Sequence, residues 1–266
     1  MEYTTIYNFI KSVRDLELSF YSGVNEADLN LLKKYHDISQ TIMHGRIIDY
    51  FGMIINRRYL QLETFHDQKI NELPFPSDKF HAEAIEYVAL VKAFHESKIS
   101  FNVIELGCGW APWIGLAGVL AKKFGKMFKL LGVEGSPEYC TYAEEHLKDN
   151  GLYESSLIIN AIVSDKNTPL YFRTSPSSNN AWGERPRLNE GVGYEKVKSL
   201  TISECLVNFD KVDILHLDIQ GAEYDALSCC NVINSINHKV KRIIIGTHSR
   251  SIEGKIFDFM HEHGWQ

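Results

Sequence analysis

From residue 100 onward, short apolar runs alternate with helix-like segments, and this alternation constrains the fold more than any other feature. Strands are predicted at residues 101–106, 129–133, 157–163, 212–217 and 241–245. Helices are predicted between them, at residues 112–124, from Pro137, from Thr201, from Ala222 and at residues 252–263. Strands alternating with helices of about a dozen residues are typical of a parallel sheet with helices on both faces. The sequence therefore predicts an α/β, doubly wound, Rossmann-like domain.

The first part of the chain has a different pattern. Asn25 precedes a periodic apolar stretch and is predicted to begin a helix. Residues 42–62 are rich in Ile, Tyr and Leu, and residues 80–97 carry the apolar spacing of one helix face. We predict an N-terminal helical region over residues 1–79 and a second domain over residues 80–266.

Charge and cysteine content restrict the class of partner and the compartment. The chain has 28 Lys and Arg against 34 Asp and Glu, a net charge of −6, which argues against a general nucleic-acid binder. Its five cysteines lack the spacing of a zinc site, which favours a reduced, cytoplasmic protein. The N-terminal residues do not resemble a secretory signal, and residues 111–121 fall short of the ~18 residues that a membrane span needs. We expect a small-molecule or glycan partner, no nucleic acid and no membrane span, and leave the oligomeric state open.

The first candidate site is the turn VIELGCGW, which follows the first predicted strand. Gly107 and Gly109 would let the backbone approach a cofactor closely. A dinucleotide site would continue to a third glycine, but the sixth position here is Pro112, which has no N–H to offer a phosphate. S-adenosylmethionine carries no phosphate, so the turn favours it over NAD. One of Trp110 and Trp113 is expected near the ligand and the other in the core.

Polar side chains also stand at the ends of three later strands. Glu134 ends the second strand, where doubly wound folds hold ribose hydroxyls. Asp218 and His248 end the fourth and fifth strands, and Glu223 lies in the next helical turn, where it could equally complement the helix dipole. Because neighbouring strands lie ~4.8 Å apart, we expect Asp218 and His248 to reach one acceptor hydroxyl. A purely structural His248 stays open as the alternative.

Residues 171–195 interrupt the alternation. They are rich in Ser, Asn, Gly and Pro and contain Tyr171, Trp182 and Tyr194. A loop of this length inside a compact domain is usually functional or disordered. Its aromatic residues favour a lid over the acceptor, with Trp182 as a substrate-binding residue.

Six segments taken in order resemble the FkbM-type family of S-adenosylmethionine-dependent methyltransferases: VIELGCGWAPW, GVEGSPE, LIINAIVSD, KSLTISECL, LHLDIQGAE and IIIGTHS. The resemblance covers about residues 80–266, and LHLDIQGAE is its most specific part, although the family usually has Glu where this chain has Gln220. It implies a class I methyltransferase fold and O-methylation, commonly of a sugar hydroxyl in a glycan, glycolipid or natural product.

The resemblance also implies site roles. The cofactor-binding residues would be Glu105, Gly107 and Gly109 at the methionine part, Glu134 at the ribose, Asn160 and Ala161 at the adenine, and Asp218 at the methionine amino group or the acceptor hydroxyl. Trp110, in the same turn, is also expected to bind the cofactor. Apart from the resemblance, their positions make Asp218 and His248 the expected catalytic residues, and Trp182, Gln220 and Glu223 are expected to bind the acceptor. A divalent cation held by Asp218 is less favoured, because the sequence shows no ligand cluster.

Two other functions stay open from sequence. An NAD-dependent sugar dehydrogenase or epimerase shares the turn and Glu134, but should show a third glycine and usually a Tyr-x-x-x-Lys pair. A non-catalytic methyltransferase-like binding module is expected to lose Asp218 or the glycine turn, and neither is lost. A class I sheet has two further strands after the last predicted helix. The chain is therefore expected to be truncated there, or to have those strands disordered or replaced.

Overall fold

The computed structural model describes residues 23–37, 39, 41–59, 67–71, 84–165, 168–173, 185–229 and 231–266. The chain forms two compact units, Met1–Lys98 and Ile99–Gln266. The domain boundary near residue 79 stays a prediction.

Two helices and three short strands make up the described part of the first unit. They are α1 (Glu26–Lys33), β1 (Arg46–Ile48), β2 (Ile54–Asn56), β3 (Gln68–Lys69) and α2 (Ala84–Glu96). The start of α1 is as predicted: the Asn25 side chain accepts the Asp28 backbone N–H, and the Asp28 side chain accepts that of Asn25. This reciprocal capping satisfies two of the N–H groups left open at a helix start.

The helical character predicted for residues 1–79 does not hold at residues 46–48 and 54–56, which form strands β1 and β2. β1 pairs antiparallel with β2 and parallel with β3. Ile47, Ile48 and Ile55 are buried in these strands. Branched side chains lose rotamer freedom in a helix and pack well on a pleated surface, so a run rich in Ile forms strands once a sheet can bury it.

The second unit is an α/β domain. Its elements are β4 (Ser100–Leu106), α3 (Pro112–Lys123), β5 (Met127–Glu134), α4 (Pro137–Asp149), β6 (Ser156–Asn160), β7 (Ile162–Val163), β8 (Leu170–Arg173), β9 (Tyr194–Val197), β10 (Ser199–Leu200), α5 (Ile202–Leu206), β11 (Ile214–Leu217), α6 (Glu223–Ser228), α7 (Val232–Lys239), β12 (Ile243–Ile245) and α8 (Arg250–Glu262). Five strands form one parallel sheet in the order β12-β11-β4-β5-β6. The predicted doubly wound α/β class is confirmed.

The strand order places the ligand crevice. The chain runs outward from β4 through β5 to β6, and then returns to the other side of β4 to form β11 and β12. In open α/β sheets, ligands bind beyond the carboxyl ends of the strands where the order reverses. Here that point lies between the ends of β4 and β11.

Three details differ from the prediction. The run at residues 157–163 forms two strands, since β6 ends at Asn160 and β7 pairs with β10 outside the main sheet. Helix α7 was not predicted, and it follows Asn231, which adopts a left-handed φ of 66°. The ends of the predicted loop at 171–195 are ordered, because β8 and β9 pair antiparallel.

Residues 174–184 of that loop, including Trp182, lie outside the described residues, so the role of the loop as a lid stays a prediction. Within the described parts of the chain, no helix is long and apolar enough to cross a membrane.

Candidate active site

The turn between β4 and α3 passes directly beside the end of β11. Gly107 has a φ of 77°, and a Cβ atom on it would lie 1.8 Å from the Asp218 carbonyl oxygen. The N–H groups of Gly107 and Cys108 both donate to the Val133 carbonyl, at 2.9 and 3.0 Å, and the Asp218 N–H donates to the Leu106 carbonyl at 2.9 Å. The turn is therefore fixed by both neighbouring strands, and only glycine fits at position 107.

Glu134 ends β5 directly beside the turn. Its Oε2 accepts the Gly109 N–H at 2.9 Å, and its Oε1 accepts the Ser136 N–H at 2.8 Å. Burial raises the pKa of this carboxyl, while the N–H groups of Ser136 and Gly109 act in the opposite direction. Since each carboxylate oxygen has two lone pairs, Glu134 keeps acceptor capacity for ribose hydroxyls.

Glu105 lies beneath the first turn of α3 and is 1% exposed. Its Oε2 accepts the Ile114 N–H at 2.9 Å, which places a carboxylate at the helix N-terminus. Pro112, the first residue of α3, has no N–H. This end of α3 is therefore acidic and poor in open donors, the opposite of what a pyrophosphate requires.

Both tryptophans of the turn lie in the core. Trp110 is 0% exposed and packs edge-on against the His146 ring, with centroids 4.9 Å apart. Trp113 is buried beside His216, with centroids 5.5 Å apart. A contact between Trp110 and the cofactor stays a prediction.

The ends of β5 and β6 are tied together at the predicted adenine side. The Asn160 amide donates to the carbonyl oxygens of Glu134 and Gly135, at 3.0 and 2.9 Å. The Ala161 N–H also donates to the Glu134 carbonyl, at 2.9 Å. The Phe172 ring from β8 packs over Gly135, where an added Cβ would approach it to 3.0 Å.

Asp218, Glu223 and His248 meet at the ends of β11 and β12. The two strands are adjacent and parallel, as predicted. The His248 Nε2 lies 3.3 Å from Asp218 Oδ1, and its Nδ1 lies 2.9 Å from Glu223 Oε1. The imidazole thus stands between two carboxylates, an outer one that is 40% exposed (Asp218) and an inner one that is fully buried (Glu223).

Glu223 is 0% exposed, so its carboxylate does not face an acceptor in this structure. Its Oε1 also accepts the N–H groups of Ile219 and Gly221, at 3.1 and 2.9 Å. The predicted substrate-binding role does not match this burial. Gln220 stands in the same loop with a left-handed φ of 58°, and its amide donates to Asp218 Oδ1 at 3.4 Å.

The same three side chains each offer one ligand atom, and these atoms lie within 4.8 Å of one another. The set contains two carboxylates and one imidazole, which suits a divalent cation. In the structure, however, His248 Nδ1 forms a hydrogen bond with Glu223 Oε1, and Nε2 lies 3.3 Å from Asp218 Oδ1.

Arg185 was not singled out from sequence. Its guanidinium lies over Gly221, where an added Cβ would approach Nη2 to 2.8 Å. The residue lies in the predicted loop of residues 171–195, whose composition gives no signal for such a contact. The arginine brings a positive charge to the loop that carries Asp218 and Gln220.

The fold and the crevice define a class I methyltransferase domain. The family model described as "Methyltransferase FkbM domain" matches residues 111–265. The chain therefore belongs to the FkbM family of S-adenosylmethionine-dependent methyltransferases.

The individual proteins that resemble this chain share less than a third of its residues. A protein of Jannaschia sp. (strain CCS1) named "Putative methyltransferase" is 29% identical over 247 residues, which cover 88% of this chain and 87% of the relative. Among solved structures, similarity is found to precorrin-6y C5,15-methyltransferase from Geobacter metallireducens, with 13% identity, coverage of 70% and 74%, and a TM-score of 0.42. A methyltransferase FkbM from Methylobacillus flagellatus gives 12% identity, coverage of 64% and 38%, and a TM-score of 0.42.

Proposed function

We propose that this protein transfers the methyl group of S-adenosylmethionine to a hydroxyl oxygen, and that the acceptor is a sugar in a glycan, glycolipid or natural product. The observation that carries the proposal is the imidazole of His248. It stands at the crevice rim with Nε2 toward the partly exposed Asp218 and Nδ1 on the buried Glu223.

The crevice suits this cofactor better than a dinucleotide. Glu134 offers carboxylate oxygens for ribose hydroxyls, and the glycine turn brings the backbone close to the end of β11. The buried Glu105 carboxylate at the N-terminus of α3 opposes a pyrophosphate there. These observations favour S-adenosylmethionine over NAD and so weigh against a sugar dehydrogenase or epimerase.

S-adenosylmethionine supplies an electrophilic methyl group, whose bond to sulfur breaks with the electron pair staying on sulfur as the acceptor oxygen bonds to the methyl carbon. The protein has to align the acceptor with that methyl group and take up the hydroxyl proton. In the proposal His248 accepts the proton at Nε2. Asp218 lies on the same side of the ring, where it offsets the positive charge of the imidazolium. Such a base contributes a factor of ~10²–10⁴.

The presence of a base favours a hydroxyl acceptor over other nucleophiles. An amine attacks through its own lone pair, and a carboxylate is already ionised. A sugar hydroxyl is a poor nucleophile while it keeps its proton, so it gains most from a neighbouring imidazole. Together with the family resemblance, this supports a sugar acceptor.

A divalent cation is the second candidate for activating the hydroxyl. It is favoured by the close approach of Asp218, Glu223 and His248, and it would lower the pKa of a bound hydroxyl. The hydrogen bond of His248 Nδ1 to Glu223 Oε1 leaves Nε2 as the nitrogen on the side of Asp218, and this arrangement favours the base over the cation.

The test is a screen for transfer of a labelled methyl group to nucleotide-sugars, glycans and simple glycosides, with binding of S-adenosylhomocysteine and NAD measured by calorimetry. We expect S-adenosylhomocysteine to bind, NAD not to bind, and the label to appear as a methyl ether. Label on nitrogen or carbon, or binding of NAD alone, would contradict the proposal.

A further inference from the structure

We infer that Glu223 is a positioning residue that sets the tautomer of His248 and holds the loop between Asp218 and Glu223 in shape. The inference rests on the proposed role of His248 as the base, and it replaces the substrate-binding role that the sequence suggested for Glu223.

The hydrogen bonds to Glu223 fix which ring nitrogen carries a proton. Glu223 Oε1 already accepts two backbone N–H groups, from Ile219 and Gly221. An oxygen that accepts in this way carries no proton of its own, so the contact of 2.9 Å with His248 Nδ1 requires Nδ1 to donate. In the neutral ring the proton is then on Nδ1, and Nε2 presents its lone pair. Nε2 is the nitrogen on the side of Asp218, where an acceptor would enter.

The burial of Glu223 strengthens this coupling. The side chain is 0% exposed, and within the described residues its Oε2 has no hydrogen-bond partner. A buried carboxylate with one bare oxygen is costly unless a positive group lies beside it. An imidazolium on His248 supplies that group, since its Nδ1 lies 2.9 Å from Glu223 Oε1.

The same carboxylate also shapes the loop. Gln220 and Gly221 adopt φ angles of 58° and 99°, both in the left-handed region. The N–H groups on either side of Gln220, those of Ile219 and Gly221, converge on Glu223 Oε1. One oxygen atom therefore fixes the loop that follows Asp218 and the ring of His248. The two sides of the proposed catalytic site are held relative to each other by Glu223.

The experiment compares Glu223→Gln and Glu223→Ala with the full wild-type chain, and uses Glu262→Gln on the exposed end of α8 as the matched control. The ¹⁵N signals of the His248 ring, assigned with His248→Ala, are recorded at a pH where the ring is neutral. Labelled-methyl turnover and S-adenosylhomocysteine affinity are measured on the same samples. The Gln variant keeps an amide oxygen for both backbone N–H groups, so it tests the inference even where the Ala variant fails to fold.

In the wild type we expect the ring proton on Nδ1. Glu223→Ala should give a mixture of tautomers and a kcat at least ~10²-fold lower. Glu223→Gln should keep the tautomer and lose about 10-fold in kcat, because the amide oxygen orients the ring but carries no charge. In Glu223→Gln, whose amide oxygen keeps both backbone N–H groups of the loop, KM for the cofactor and S-adenosylhomocysteine affinity should stay close to the wild-type values.

A neutral wild-type ring with its proton on Nε2, or wild-type kcat in folded Glu223 variants, would overturn the inference. Turnover that requires added Mg²⁺ or Mn²⁺, with metal binding lost in Glu223→Gln, would also overturn it and assign Glu223 as a ligand. The ring signals do not depend on methyl transfer. If the proposed function fails, His248→Ala will be fully active while the expected tautomer is still present. That outcome is therefore distinguishable from failure of the inference about Glu223.

Discussion

At the scale of single residues, the protonation of the Glu134 carboxyl bears directly on its proposed contact with the ribose. Burial raises the pKa of its carboxyl above the usual value of 4.5, and the N–H groups of Ser136 and Gly109 only partly oppose the effect. Acceptance of ribose hydroxyls is strongest when the carboxyl is ionised. The affinity for the cofactor should therefore depend on whether the Glu134 carboxyl is ionised.

Binding of S-adenosylhomocysteine should weaken as pH falls through the raised pKa of Glu134, at pH values above 4.5. The sign follows from the raised pKa: the ionised form is present at higher pH and lost on acidification. Glu134→Gln should remove this part of the pH dependence, while exposed Glu154→Gln should leave it intact. Calorimetry across pH checks this, and an identical pH profile for wild type and Glu134→Gln would contradict it.

Glu134→Ala should weaken S-adenosylhomocysteine by at least ~10-fold at neutral pH, because hydrogen bonds to a charged group contribute ~1.5–3 kcal/mol each. The Glu154→Gln variant again serves as the control, and the same titration measures both. Unchanged affinity in Glu134→Ala would remove Glu134 from the cofactor site.

Asp49, in the first unit, gives a stability prediction of the same kind. Burial raises the pKa of its carboxyl to about 7, although the N–H groups of Met53 and Phe51 bond to its Oδ1. An acid whose folded pKa exceeds its unfolded value of ~3.9 stabilises the fold at low pH, and this stability is lost as pH rises through about 7.

Asp49→Asn keeps an oxygen for both N–H groups and cannot ionise. Its free energy of unfolding, relative to wild type, should therefore increase between about pH 4 and about pH 7. Exposed Asp258→Asn should track the wild type. Denaturant titrations at several pH values measure the difference, and a constant offset across this range would show that Asp49 does not titrate as inferred.

At the scale of elements, strand and helix order in the second unit was predictable because buried parallel strands are continuous apolar runs. The adjacency of β11 and β12 also brought Asp218 and His248 together as expected. The break at Ala161 and the burial of Glu223 were not predictable, because they depend on which strand or ring packs against each residue. The sequence pattern of a glutamate in the first turn of a helix is the same whether its carboxylate faces solvent or an imidazole.

Gly107→Ala should disrupt the turn between β4 and α3. The added Cβ would lie 1.8 Å from the Asp218 carbonyl oxygen, at a residue with φ of 77°. We expect a loss of at least ~1–2 kcal/mol in unfolding free energy and loss of S-adenosylhomocysteine binding. The control is Gly254→Ala in α8, where a Cβ meets nothing within 4 Å. That change should stabilise by up to ~1 kcal/mol. Equal stability and affinity in both variants would contradict this geometry.

At the scale of the whole molecule, the candidate site residues lie along one edge of the five-stranded sheet. The order β12-β11-β4-β5-β6 brings the glycine turn, Glu134, Asp218 and His248 to the carboxyl ends of neighbouring strands, although 143 positions separate Glu105 from His248 in the chain. Membership of the FkbM family assigns methyl transfer to the chain, and the location of the reaction at this edge belongs to the proposal. The proposal adds the nature of the acceptor atom and of the base.

Turnover of labelled S-adenosylmethionine by His248→Ala, with the position of the label determined by NMR, is the most direct test of the proposed O-methyl transfer. The predicted result is a methyl ether as the wild-type product, turnover at least ~10²-fold lower in the variant, and S-adenosylhomocysteine affinity almost unchanged. Near-full turnover in His248→Ala, or a product methylated on an atom other than oxygen, would contradict it.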